Sequence, residues 1–181
     1  MDILAHGLWT AAAAKLADRS GKTRKPVKIG WTALWGVFPD VFAFAPLFTF
    51  LIIQIILGNA SFSHFPGPDS FEPAQSDTLF LFKLTGALYS ISHSLLIFGV
   101  ILGAICLVLK KFPWEMLGWA FHILIDIPTH SYVFYPTPFL WPLSDLRVDG
   151  LSWASSWFVI LNYSALAVVY IILWKVAKKK A

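Results

Sequence analysis

The hydrophobic positions of this 181-residue chain fall into five apolar segments separated by short polar ones. The first segment is short, and each of the other four reaches the roughly 20 helical residues that cross a hydrocarbon core of about 30 Å. The pattern predicts an all-α, polytopic membrane helical bundle of four spans plus an N-terminal membrane-inserted helix, in a single integral membrane domain, 1 to 181. The five segments are residues 1 to 17, 29 to 57, 83 to 109, about 114 to 133, and 151 to 175.

Two of the predicted spans contain residues that interrupt a helix. The segment 29 to 57 would form a straight helix about 43 Å long, which is longer than the membrane core. Pro39 and Pro46 lie within it. Because proline removes a backbone donor, we predict a kinked or broken helix near Pro39, beside Asp40. The polar run Tyr-Ser-Ile-Ser-His-Ser around His93 interrupts the second span.

The composition agrees with a membrane protein. Hydrophobic residues make up 57% of the chain and charged residues 13%, and the mean hydropathy is +0.68, which is too apolar for an ordinary soluble domain. Nine Trp and sixteen Phe suit a lipid-facing surface with aromatic interface belts. The single cysteine, Cys106, allows no disulfide within the chain and leaves no thiolate set for a metal.

The net charge of +4 is concentrated in short basic segments. These basic segments border apolar runs, as the positive-inside rule expects of cytoplasmic loops in a membrane protein. They are not interleaved with aromatic residues that could stack on bases, which excludes a nucleic-acid partner. We therefore predict a multi-pass protein of the cell inner (plasma) membrane, with the basic loops and the C-terminus cytoplasmic. The cytoplasmic segments would be 18 to 28, 110 to 111 and 178 to 180, and the outer loops 58 to 82 and 136 to 150.

The apolar stretch from Gly118 to His130 carries three groups that suggest chemistry. His122, Asp126 and His130 are four residues apart and therefore share one face of a helix. Ionisable residues inside a membrane span are costly and mark functional sites by default. A single such histidine is more often a packed interior residue than a metal ligand. The polar residues at the same depth therefore decide between these two interpretations.

Polar residues of the other apolar segments fall at similar depths. Counted from the cytoplasmic ends at helical rise, His6 and Asp40 lie about 16 Å deep, Asp126 about 18 Å and His93 about 25 Å. Four segments thus bring a ligand-type residue into the middle or outer half of the membrane. This convergence predicts a site toward the outer half.

Imidazole and carboxylate ligands without thiolates suit Zn²⁺, and also Mn²⁺ or Fe²⁺. Five or six ligands exceed the needs of one tetrahedral zinc, so either two ions share the site or one ion leaves an acid to act as base. His130 follows Pro128 and would alternatively cap a bent helix. Arg147, the only arginine on the predicted outer side, would bind a substrate phosphate or lie in a solvated loop. We predict catalytic roles for Asp40, Asp126 and His130.

Several short motifs lie along most of the chain. They are His6-Gly7, Pro39-Asp40, Ser92-His93-Ser94-Leu95, Gly118-Trp119 before His122-x-x-x-Asp126-x-x-Thr129, and Trp141-Pro142-Leu143-Ser144. In order and spacing they resemble the YdjM-type family of inner-membrane metal-dependent hydrolases. That family is distantly similar to zinc-dependent phospholipase C enzymes, which implies phosphoester hydrolysis at a multi-zinc site. The resemblance implies that His6, Asp40, His93, His122 and Asp126 are the metal ligands.

Two departures from the family pattern affect what the resemblance implies. A second aspartate common in the family is replaced by Phe42, and a His-Arg pair by Leu88 and Tyr89. Loss of these polar groups would lower the metal count or change the substrate.

The leading hypothesis is a membrane-embedded metal-dependent hydrolase that cleaves a phosphoester in a phospholipid or another amphiphile. A second hypothesis is a transporter or proton-coupled channel that uses the same layer as a relay. No inverted repeat is visible, and the helices are few for a secondary transporter. A third is a structural or regulatory membrane subunit, against which the buried carboxylates argue. The sequence carries no signal for the oligomeric state.

Overall fold

The computed structural model describes residues 1–20, 26–67, 70–73 and 80–178. This part of the chain is helical and contains no strand, which confirms the all-α prediction. The helices are α1 (Ile3–Arg19), α2 (Ile29–Ile56), α3 (Phe80–Ser92), α4 (Leu95–Leu109), α5 (Leu117–Thr129) and α6 (Ser156–Lys178), with short 3₁₀ turns at Phe62–His64 and Trp114–Met116. Predicted basic or loop positions outside the described residues are Lys22, Arg24, Lys25, 68–69, 74–79, Lys179 and Lys180.

Two helices, α2 and α6, are long and apolar enough to cross a membrane. The pair α3 and α4 adds a third span if it crosses as one, although its two halves are bent by 64°. Helix α5 has 13 residues, which is only about 20 Å, because a 3₁₀ turn precedes it and an extended residue follows it. By length and composition, the described helices therefore supply two or three spans, fewer than the predicted four plus the inserted N-terminal helix.

The helix break lies at a different place from the one that the prolines indicate. Helix α2 runs through Pro39 and Pro46 without a break, so of the two forms predicted near Pro39 the broken helix is wrong and the kinked helix stays a prediction. Ser92 Oγ donates to the Pro39 carbonyl oxygen at 3.1 Å, which joins the end of α3 to α2. The predicted interruption around His93 is confirmed. There Ser94 is extended, and its Oγ accepts from Ile97 N at 3.2 Å to cap α4.

Helices α1, α2 and α5 approach closely because two glycines lie at their contact. A Cβ at Gly36 would overlap the Thr10 side chain, and a Cβ at Gly118 would overlap the Thr32 carbonyl oxygen. The first turn of α5 therefore lies directly against the backbone of α2. This contact fixes the position of His122, which is one turn further along α5.

Described basic ends of several helices meet at one end of the bundle. Arg19 at the end of α1 donates to the Leu173 carbonyl oxygen of α6 at 3.1 Å. Lys28 before α2 and Lys111 after α4 line one cavity of about 580 Å³. The structure thus brings together basic segments that the charge pattern assigns to the same side.

Candidate metal centre

Four side chains from three parts of the chain converge in the interior of the bundle. Asp40 comes from α2, His93 from the break between α3 and α4, and His122 and Asp126 from α5. All four are buried, and one ligand atom from each lies within 4.8 Å of the others. This cluster, called the quartet below, could hold a metal ion, and it contains four of the five predicted ligands.

Five of the six separations within the quartet lie between 3.0 and 3.7 Å, close to those of a tetrahedral site. His122 Nε2 lies 3.1 Å from His93 Nε2, 3.0 Å from Asp126 Oδ2 and 3.7 Å from Asp40 Oδ1. His93 Nε2 lies 3.5 Å from Asp40 Oδ1 and 3.4 Å from Asp126 Oδ2. A tetrahedral zinc ion with ligands at about 2.0–2.2 Å holds them about 3.3–3.6 Å apart.

The backbone determines which nitrogen of each imidazole faces the centre. His122 Nδ1 lies 2.7 Å from the Gly36 carbonyl oxygen, and His93 Nδ1 lies 3.1 Å from the Tyr89 carbonyl oxygen. Because a carbonyl oxygen only accepts, each Nδ1 must carry the hydrogen. In the neutral ring, Nε2 is then a lone-pair acceptor. This outer hydrogen bond from a histidine to a carbonyl is typical of metal ligands.

With both rings neutral and both carboxylates ionised, the quartet brings acceptors together without a donor. Asp126 Oδ2 is buried and makes no hydrogen bond among the described residues. A metal ion between these acceptors would satisfy them all. Two imidazoles and two carboxylates suit several divalent metal ions, so the quartet could hold one of them.

Aromatic side chains that the sequence reasoning did not assign to the site support the histidines. The Tyr89 ring stacks on His93 with ring centres 3.7 Å apart, and its hydroxyl donates to the Tyr135 carbonyl oxygen at 2.7 Å. Trp119 Nε1 donates to the Ser92 carbonyl oxygen at 2.6 Å. The spacing of four between Tyr89 and His93 is the one sequence signal that could have found the first contact.

Asp126 faces a second group of residues through its other oxygen. Oδ1 lies 2.9 Å from His6 Nε2, 3.4 Å from His130 Nε2 and 2.6 Å from the Met1 nitrogen. His6 is fully buried and stacks on His122 with ring centres 3.7 Å apart. The predicted ligand His6 thus contacts Asp126 from outside the quartet.

His130 is held in the same manner as the quartet histidines. Its Nδ1 lies 3.0 Å from the Tyr135 carbonyl oxygen and 3.2 Å from that of Phe134. Nδ1 therefore carries the hydrogen, and Nε2 faces Asp126 and accepts from the Met1 nitrogen, 2.9 Å away. The sequence predicted the shared face of His130 and Asp126. It gave no sign of the carbonyls that orient the ring.

Arg147 lies apart from these groups. No hydrogen bond or ion pair described in the structure joins it to the quartet, and its carbonyl oxygen accepts from the Tyr132 hydroxyl at 3.1 Å. Its substrate-binding role stays a prediction. His64, the remaining histidine, is exposed in a 3₁₀ turn.

Chelation of the purified protein is expected to lower its Tm in detergent by about 5–10 °C. A ligand at a hundredfold excess over its Kd contributes about 2.7 kcal/mol, and each 1 kcal/mol shifts the Tm of a chain this size by about 2–4 °C. Thermal unfolding with and without chelator measures the shift, and added zinc should restore the Tm. A zinc-free, folded protein whose Tm responds to neither reagent would contradict the metal site.

Comparison of the chain with protein-family models, with curated proteins and with solved structures gave no significant match. The resemblance to the YdjM-type family therefore stays a prediction.

Proposed function

We propose that the protein is a membrane-embedded metal-dependent hydrolase that cleaves a phosphoester in a phospholipid or another amphiphile. The observation that carries this proposal is the quartet of buried acceptors at tetrahedral spacing. Two of the helices are long and apolar enough to cross a membrane, which supports an amphiphile as the substrate. The motifs that resemble a hydrolase family agree with this function.

The residues of the quartet would hold one zinc ion, with manganese or iron as alternatives of the same ligand chemistry. A zinc ion that took a water or a phosphoester oxygen beside the four side chains would supply Lewis acidity and would make the water a nucleophile near neutral pH. Asp126 and Asp40 supply the negative charge that retains the ion. Gly36 and Tyr89 hold the two imidazoles in the ligating orientation through their carbonyl oxygens.

His130 is the residue that we assign to proton transfer. Its Nε2 lies on the Oδ1 side of Asp126 and so is not one of the quartet ligands. Because Nδ1 is bonded to carbonyl oxygens, a proton taken up by the ring must go to Nε2. The Asp126 carboxylate beside it stabilises the imidazolium that results.

The proposed location is the cell inner (plasma) membrane, with the basic segments and the C-terminus cytoplasmic and the quartet toward the outer half. The support for this orientation is the shared position of the described basic helix ends, together with the positive-inside rule.

The test of the hydrolase is a lipid assay with purified, zinc-loaded protein. Mixed micelles of each major phospholipid class are incubated with and without chelator, and products are identified by mass spectrometry. One class should be cleaved only by the metal-loaded protein. If a folded, zinc-loaded protein cleaves none of them, the phospholipid hydrolase is excluded, and proton flux in liposomes would then favour the transporter.

Replacing His130 separates proton transfer from metal binding. In His130→Gln we expect the zinc content to stay unchanged and the hydrolysis rate to fall about 10²–10⁴-fold, the usual contribution of a general acid or base. Elemental analysis and lipid hydrolysis measure the two effects, and His64→Gln, which changes an exposed histidine, is the matched control. Loss of one zinc ion in His130→Gln would show that His130 is a ligand instead.

A further inference from the structure

An elongated cavity of about 400 Å³ adjoins the quartet on the side of Asp40 and His130. The rest of its wall is mainly hydrocarbon and aromatic, including Ile3 and Leu4 at the start of α1 and Phe134 and Trp153 opposite. Pockets of this size with few polar groups at one place are typical of small-molecule sites.

The part of the cavity wall that α2 contributes is polar at one end and aromatic at the other. Asp40, Phe44 and Phe48 all line the cavity and are spaced by four residues, so they form one stripe along the helix. The stripe starts at a carboxylate of the quartet and continues through two aromatic rings over about 12 Å. A ligand that follows it must be polar at one end and apolar along its length.

The polar side chains at the other end are already engaged. Asp2, which also lines the cavity, accepts from Ala5 N at 2.9 Å and from the Tyr163 hydroxyl at 2.8 Å. These bonds leave Asp40, His130 and the Met1 nitrogen, which lies 2.9 Å from His130 Nε2, as the polar groups of the cavity wall that face the quartet. The apolar part offers little hydrogen bonding to ordered water, which favours a hydrocarbon occupant.

We propose that this cavity binds the hydrocarbon chain of the amphiphile and that Phe44 and Phe48 determine which chains are accepted. The inference rests on the proposed function, because it assigns the phosphoester of the same molecule to the quartet. It adds that a water-soluble phosphoester without a chain is a poor substrate.

Photo-crosslinking tests the cavity directly. The probe is dodecyl phosphate with a terminal diazirine, added to the full-length protein in detergent and irradiated, with adducts mapped by mass spectrometry. We expect adducts near Phe48 and Trp153 that disappear with excess unlabelled dodecyl phosphate. Adducts on lipid-facing residues such as Val100 and Leu107, which are more than 70% exposed, should not be competed.

Two variants with the same substitution on α2 make the test specific. Phe48→Trp should reduce the competed adducts about tenfold, since overpacking of a well-filled site costs about 1–3 kcal/mol. Phe42→Trp changes a ring outside the cavity lining and should leave them unchanged. Uncompeted labelling throughout, or equal labelling in both variants, would overturn the proposal.

The crosslinking experiment and the lipid-hydrolysis assay can give different answers, so each tests its own proposal. Competed adducts with no lipid hydrolysis would support the chain site and refute the hydrolase. Hydrolysis with only uncompeted adducts would refute the chain site alone. In His122→Ala, which removes a quartet ligand, adducts near Phe48 should persist, because the chain contacts do not require the metal.

Discussion

Asp126→Asn is expected to abolish both metal binding and hydrolysis while the helices remain formed. The two carboxylate oxygens of Asp126 face different residues. Oδ2 faces the rest of the quartet, and Oδ1 faces His6 and His130. The amide keeps the shape of the side chain but removes the charge that retains the cation. We expect a fall in hydrolysis of about 10³-fold or more, the equivalent of several kcal/mol of Lewis-acid stabilisation.

The measurements for Asp126→Asn are zinc content of the purified protein, helicity by circular dichroism and lipid hydrolysis. Asp145→Asn is the matched control, because it neutralises an exposed carboxylate in a loop. It should retain zinc and activity. Full zinc occupancy in Asp126→Asn would remove Asp126 from the ligand set and with it the basis for the tetrahedral site.

Gly118→Ala is expected to cost about 3 kcal/mol or more, a large change for one methyl group. The added Cβ would overlap the Thr32 carbonyl oxygen and would approach the Gly36 nitrogen within 3.1 Å. Backbone atoms cannot rotate away as a flexible side chain can, so α5 must move away from α2. That movement also displaces His122 from the Gly36 carbonyl oxygen, so zinc affinity should fall together with stability.

Thermal unfolding in detergent measures the effect of Gly118→Ala, and Gly103→Ala provides the comparison. Gly103 lies in α4, where nothing is within 4 Å of an added Cβ. Alanine there should be neutral or stabilise by about 0.5–1 kcal/mol, the helical preference of alanine over glycine. Equal Tm values for the two variants would mean that α2 and α5 are not in close backbone contact.

The sequence predicted the helices better than it predicted their relation to a membrane. Apolar periodicity identified every long helix, because it reports which faces avoid water. An apolar pattern does not show whether a helix is covered by lipid or by other helices of the protein. Helix α5 is apolar because it is packed inside the bundle, where Trp119 and Ile123 are buried, and its 13 residues are too short to be one of the predicted spans. Pro39 lies within the continuous helix α2, so the proline in the sequence did not locate a break.

Residue type, depth and the family resemblance together predicted five ligands, and four of them meet in the quartet. His93, His122, Asp40 and Asp126 meet because similar depths in neighbouring helices are similar positions in space. The backbone groups that orient the ligands could not be predicted from the sequence. The Gly36 carbonyl oxygen meets His122 only because α2 and α5 cross at glycine, and no periodic pattern encodes that crossing.

The wide sequence separation of the quartet has a consequence for biosynthesis. Its members enter the nascent chain at positions 40, 93, 122 and 126, so the metal site is incomplete until α5 has been made. Until then Asp40 would be a carboxylate on an apolar helix without its partners, an expensive state inside a bilayer. Chains stalled before α5 should therefore be recognised by membrane proteases. A metal ion bound by all four members would therefore enter late in assembly and would mark completed folding.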